Sequence, residues 1–117
     1  MSISLFSHEP NARVFHAAEI IFEAGSTGNL MYAVQSGEVD ILIGGTVVET
    51  VGPEGFFGEM ALLEDAPRSA TAVARGETSL AVIDSFAFMR QVSRNPFFAL
   101  EVMRVLAARL RRSDGVG

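Results

Sequence analysis

A chain of 117 residues that is 49% hydrophobic holds one packed core and one domain, without room for a second. Zero cysteines exclude disulfides and thiolate metal sites, and a formal charge of -5 excludes the basic face of a generic nucleic-acid binder. No apolar run approaches the roughly 18 residues of a membrane span, and "MSISLFSHEP" lacks a signal peptide's layout. The expectation is a cytoplasmic protein that contacts neither membrane nor nucleic acid directly.

Up to Asp84, glycine recurs about every eight to twelve residues with short β-branched runs between. "EIIF" (19–22), "LMYAVQS" (30–36), "EVDILI" (38–43), "TVVETV" (46–51), "SATAVA" (69–74) and "SLAVID" (79–84) have the length and alternation of half-buried strands. Gly44-Gly45 in "IGGTV" is the strongest hairpin signal, and Gly25, Gly28, Gly37, Gly52 and Gly55 mark further turns. Many short strands at even spacing predict an antiparallel barrel or sandwich. After Asp84 the period changes. Phe86, Met89, Gln91 and Val92 predict a short helix capped by Ser85, and Asn95-Pro96 ends it and opens another.

In that last helix Leu100, Met103, Leu106, Ala107 and Leu110 make one apolar stripe. Arg104, Arg109, Arg111 and Arg112 crowd its C-terminal half, where the expectation is charge compensation of the helix dipole on a solvated face. All nine cations of the chain are arginine. The tail "RRSDGVG" is expected to fray. Phe56, Phe57, Phe86, Phe88, Phe97 and Phe98 read as core and inter-helix packing rather than a base-stacking platform.

The chemistry concentrates in "FFGEMALLEDAPRSATAVA" (56–74). Gly58 before the helical turn "EMALL" predicts backbone N–H groups open to an anion at a helix start. Arg68 offers a fork of donors that fits phosphate oxygens in pairs, and Ser69 and Thr71 add hydroxyls beside it. Glu59 would repel a phosphate unless it faces another part of the ligand, and a ribose hydroxyl, which needs an acceptor, fits that role. The pattern points to a sugar phosphate. Catalysis finds no support, since there is no serine-histidine-acid set, no P-loop lysine and no hydrolytic carboxylate pair, so no enzyme is expected. His8 and His16 lack a carboxylate at ligand spacing, which argues against a metal-binding cupin; neither metal nor cofactor is expected.

These residues carry a resemblance. Gly58-Glu59-Met60-Ala61-Leu62 followed by Pro67-Arg68-Ser69-Ala70-Thr71 resembles the phosphate-binding cassette of cyclic nucleotide-binding domains, and "EAGSTGNLMYAVQSGEVDILI" resembles the family's turn-strand-turn-strand segment. The resemblance covers roughly 12–112 and implies a mainly β fold: an eight-stranded antiparallel β-roll over about 12–84, then C-terminal helices over about 85–113. All of 1–117 would be this one domain, with no DNA-binding domain.

By the resemblance, Arg68 would pair with the cyclic phosphate, with Ser69 and the amide of Ala70 completing the cradle. Glu59 would accept from the ribose 2′-hydroxyl, Gly58 would let the backbone approach the sugar, and Met60 and Ala61 of the same turn would belong to the ligand-binding set. Ile41, Val48 and Val51 fall where the family's roll walls pack on the base, and Arg109 and Ser113 near where its lid helix reaches the base. Ser26 stands where the family often has an aspartate.

The implied function is a regulatory sensor that binds a cyclic nucleotide, cAMP first with cGMP open, and moves its C-terminal helix on binding. An effector protein or fused effector domain would read that movement; homodimer formation stays open. The competing expectation is a degenerate roll that serves as a ligand-independent interaction module.

Overall fold

The structure is a computed structural model that describes the backbone of residues 12–116 and the side chains of 12–112. His8 and the side chain of Ser113 lie outside the described residues. The roll has eight strands: β1 (Arg13–Phe15), β2 (Ile20–Phe22), β3 (Met31–Ser36), β4 (Val39–Ile43), β5 (Thr46–Val51), β6 (Phe56–Phe57), β7 (Thr71–Ala74) and β8 (Thr78–Ile83). The helices are α1 (Met60–Leu63), α2 (Ser85–Arg94) and α3 (Pro96–Val116). Two four-stranded antiparallel sheets form, in the orders β1-β8-β3-β6 and β2-β7-β4-β5. This is the eight-stranded roll with C-terminal helices that the sequence led us to expect. β1 and β6, of three and two residues, fall below any alternation signal.

The first sheet is the middle layer. In β3 the residues Met31, Tyr32, Ala33 and Val34 are all buried, because the pleat sends alternate side chains into two different cores. Met31 and Ala33 join Phe56, Ala81, Ile83, Phe98 and Val102 in a core beneath the helices. Tyr32 and Val34 join Val39, Val51, Phe57, Ala72 and Leu80 inside the roll. The run "MYAV" is therefore buried on both faces rather than half-buried. The β4–β5 hairpin closes at Ile43 and Thr46, with Gly44 at φ 59° and Gly45 at φ 80°, the left-handed pair that a two-residue turn of this hand requires.

The helices correct three expectations. Asp84, not Ser85, caps α2: its carboxylate accepts from the Ala87 N–H at 2.8 Å. Asn95 does cap α3, accepting from the Phe97 N–H at 3.2 Å. The buried face of α3 is Phe98, Val102, Val105 and Leu106, whereas Leu100, Met103 and Leu110 of the expected stripe are exposed. Both faces of α3 are apolar, and the ring of Phe98, 5.3 Å from that of Phe88, selects the one that docks. Phe86 and Phe97 are likewise exposed, at 74% and 75%, and are not core. No helix among the described residues is long and apolar enough to cross a membrane.

Two adjacent phenylalanines thus have opposite environments. Phe98→Ala should cost about 3–5 kcal/mol in urea unfolding, the scale of a buried aromatic truncation. Phe97→Ala should stay within about 0.5 kcal/mol. Equal costs would show that α3 docks by another face.

Candidate ligand-binding site

The segment from β6 through α1 to β7 bends twice. Gly58, at φ 78°, turns the chain out of β6. The one-turn helix that follows uses its own donors, since the Ala61 N–H bonds Gly58 O at 3.3 Å and the Leu62 N–H bonds Glu59 O at 3.1 Å. Fewer amides are open there than the sequence led us to expect. At the far end the Arg68 N–H donates to Ser26 O and the Gly25 N–H to Arg68 O, both at 2.8 Å, and Thr71 Oγ1 accepts from the Ala24 N–H at 2.9 Å. These bonds tie the 24–28 loop to the start of β7, and so fix where Arg68 leaves the backbone.

Arg68 is 9% exposed. Its Nη1 donates to Gly58 O at 3.1 Å, its Nη2 to Leu30 O at 2.8 Å, and its Cζ lies 4.0 Å from the centroid of the Phe22 ring. A Cβ on Gly28 would stand 2.8 Å from Nη2, and one on Gly58 2.9 Å from Nη1, so a side chain at either place would shift the guanidinium from its present position. Nε is buried with no partner, and no carboxylate pairs with Arg68 among the described residues. Burial lowers its pKa, against the opposing influence of Tyr32 and Glu59.

Arg109, on α3, has the opposite surroundings. Its Nε and Nη2 donate to the two oxygens of Glu49 at 3.0 Å each, Nη2 also to Phe56 O at 2.7 Å, and Nη1 to Glu59. Arg112 Nη2 adds a bond to Glu49 at 3.1 Å. The crowd of arginines expected on a solvated face therefore divides. Arg104 stays exposed, with a local pair to Glu101, and Arg111 is exposed, whereas Arg109 and Arg112 bind the roll.

The carboxylates of this cluster are unequal. Burial pulls Glu49 upward, but the hydrogen bonds and charges of Arg109 and Arg112 outweigh it and hold Glu49 below the usual carboxylate range. At Glu59, 5% exposed, burial prevails over Arg109 and the nearby charge of Glu49 adds to it, so the carboxyl is pushed up. Burial disfavours the Arg109 cation too, yet two carboxylates outweigh it and raise its pKa.

Between these groups lies a cavity of about 320 Å³. Gly58, Glu59, Met60, Ala61, Arg68, Ser69 and Ala70 form one side, Ile41, Ile43, Val48 and Glu49 another, and Leu106, Arg109, Leu110 and Arg112 close it from α3. Val51 differs from the sequence-based expectation, since it is buried in the roll core and borders a separate groove under α3. Sequence reasoning missed Phe22, Glu49 and Arg112 as site residues. An acid within the apolar strand "TVVETV" was the available signal for Glu49; Phe22 offered none.

Residues 12–95 match the family model described as the cyclic nucleotide-binding domain. The chain belongs to that family. It is 35% identical over 107 residues to the cyclic AMP receptor protein of Thermus thermophilus, covering 87% of this chain and 50% of that protein. The crystal structure of the catabolite activator protein of Thermus thermophilus superposes with a TM-score of 0.77 at 34% identity, over 89% of this chain and 51% of that one. A chain solved in work on a cyclic-GMP-dependent signalling pathway that regulates bacterial phytopathogenesis gives a TM-score of 0.78 at 28% identity, over 96% of this chain and 98% of that one. The cyclic nucleotide-binding domain thus spans about half the length of the receptor protein it resembles.

The unequal carboxylates set an acid dependence. Glu49 has its folded pKa below its unfolded value, so its contribution is present above the unfolded value of 4.5 and is lost as pH falls through the folded value. Glu59 runs the other way: ionised and buried, it weakens the fold above pH 4.5, and the cost disappears on acidification. Glu49→Gln should therefore lower stability at pH 7 and flatten the loss below pH 4.5, while Glu59→Gln should abolish the stability gained on acidification in the range just above pH 4.5, as read by denaturant unfolding across pH. Identical acid limbs for the two variants would contradict this assignment.

Proposed function

We propose that this domain is a regulatory sensor that binds cAMP, with cGMP as the alternative base, and reports it through α3. The observation that carries the reading is Arg68, a buried guanidinium with no counter-ion among the described residues, bordering a cavity that also holds a buried carboxylate. Two of its five N–H groups serve backbone carbonyls, which leaves three for the oxygens of an anion. A cyclic phosphate supplies that anion, and its ribose 2′-hydroxyl supplies a donor for Glu59. Ser69 and the Ala70 amide complete the phosphate cradle, and Ile41 and Val48 offer the base an apolar wall.

The switch follows from shared use of one carboxylate. Glu59 bonds Arg109 of α3 and is also the proposed acceptor for the ribose, so ligand and helix meet at the same group. A ligand whose contacts differ between two placements of α3 shifts their populations. The role is regulatory rather than catalytic, and an effector protein or an effector domain in the same polypeptide reads the helix. Leu100 and Met103 leave α3 an open apolar surface away from the cavity, which favours a homodimer through that helix.

One observation favours the second reading, a roll that works without ligand. Glu59 already has a partner in Arg109, so its presence does not by itself require a nucleotide.

Titration calorimetry and thermal unfolding separate the two. The wild-type domain should bind cAMP or cGMP and gain about 2.7 kcal/mol of stability at a hundredfold excess over Kd. Arg68→Ala should lose about 1.5–3 kcal/mol of binding, and Arg68→Lys should not restore it, because a point charge replaces a fork. No thermal shift with either nucleotide at millimolar concentration would favour the ligand-independent roll.

A second test isolates Glu59. In wild type, 2′-deoxy-cAMP should bind much more weakly than cAMP, and in Glu59→Ala the two should bind alike, since the hydroxyl has lost its partner. Undiminished discrimination in Glu59→Ala would remove Glu59 from the ribose site.

A further inference from the structure

Arg68 poses a positioning problem that the two carbonyls do not solve. Gly58 O and Leu30 O take one N–H from each Nη and so fix the edge of the fork. Two acceptors in line with that edge leave the tilt of the guanidinium plane free. The ring of Phe22 supplies the missing constraint, with Arg68 Cζ 4.0 Å over its centroid. The ring is itself held, its centroid 6.1 Å from that of Tyr32 and 5.9 Å from that of Phe57.

We propose that Phe22 is a positioning residue for anion recognition: its ring fixes the plane of the Arg68 guanidinium while leaving that group's charge uncompensated. The proposal rests on the reading that the cavity takes a cyclic phosphate.

The chemistry favours an aromatic face here over a carboxylate. A carboxylate would orient the fork, but it would take up N–H donors and cancel the charge that a phosphate needs. A ring face attracts the cation through its quadrupole and accepts none of the in-plane N–H groups. The bond inventory agrees, since Nε is unpartnered and no acid pairs with Arg68 among the described residues. Gly28 and Gly58 contribute by absence, because a Cβ at either would push the fork off its seat.

The test is a double-mutant cycle with a ligand-free readout beside it. Phe22→Leu should weaken cAMP binding about tenfold in calorimetry, the scale of a desolvated cation over a ring. Phe22→Tyr, which keeps the ring face, should stay within about twofold of wild type. In an Arg68→Ala background Phe22→Leu should cause no further loss. An equal loss in both backgrounds would overturn the proposal, because Phe22 would then act on the ligand or the fold without Arg68.

Without ligand, the Arg68 Nε–H proton should lie upfield in the NMR spectrum of the wild-type protein, shifted by the ring current, and should move downfield in Phe22→Leu. An unchanged resonance would also overturn the proposal. Wild-type protein that binds neither cAMP nor cGMP would refute the ligand assignment, and the resonance would still decide whether Phe22 holds Arg68. Far-ultraviolet circular dichroism of each variant confirms that the fold is retained.

Discussion

Arg109 reaches out of α3 and bonds three separate parts of the roll at once. Glu49 belongs to the β2-β7-β4-β5 sheet, Phe56 to the β1-β8-β3-β6 sheet, and Glu59 to the turn that opens the cassette. The apolar docking of Phe98, Val102, Val105 and Leu106 holds α3 on the middle sheet but, being non-directional, does not by itself specify the placement of the helix. A guanidinium that needs two carboxylates and a carbonyl in fixed directions does specify it. Such a cluster contributes less to net stability than its bonds imply, because burial of the charges opposes their attraction, yet removing one member leaves another buried and unpaired. Its effect is positional. These bonds hold the C-terminal half of α3 against the cavity.

The two buried arginines use the same fork for opposite electrostatic ends. Arg109 has more negative charge around it than it needs, and its cation is favoured in spite of burial. Arg68 has carbonyl dipoles and a ring but no paired anion among the described residues, and burial disfavours its cation. A buried charge lacking a partner is expensive, and a fold keeps one where a ligand or a reaction completes it. Glu59 stands between them, pairing with Arg109 and supporting the charge of Arg68 from a distance. Its own raised pKa reflects that position: buried, with one cation close and a second carboxylate near.

Much of this was legible in the sequence where the information is local. Gly58, Glu59 and Arg68 lie within eleven consecutive residues, and their spacing alone places a turn, an acceptor and a fork together. Strands announced themselves through alternation, except where two or three residues are too few to alternate. What the sequence hid depends on pairings across long loops. Glu49 meets Arg109 over a separation of 60 residues, and nothing local distinguishes Arg109 from Arg111, two positions on and exposed. For α3 the periodicity was correct and the direction was not. Leu100 and Met103 share a stripe just as Phe98 and Val102 do, and the long-range packing of Phe98 and Val102 against Met31, Ala33, Phe56, Ala81 and Ile83 decides which stripe is inside.

The walls of the cavity give its charges their reach. Ile41, Val48, Leu106 and Leu110 surround Arg68 and Glu59 with apolar surface, and two of the four come from α3. Field lines between charged groups are weakened less in such surroundings than in water, so an anion at Arg68 would be held more tightly with α3 over the cavity. Displacing the helix would re-solvate Arg68, Glu59 and Glu49 together, and the attraction of Arg68 for an anion would fall even if every contact distance stayed the same. By linkage the dependence is mutual: whatever binds more tightly under the closed helix also favours closure. Coupling of an anion at Arg68 to α3, as proposed, would therefore not need a chain of shifting side chains. Under the proposed function, a shared low-dielectric cavity with α3 as one wall, held by Arg109, would be sufficient.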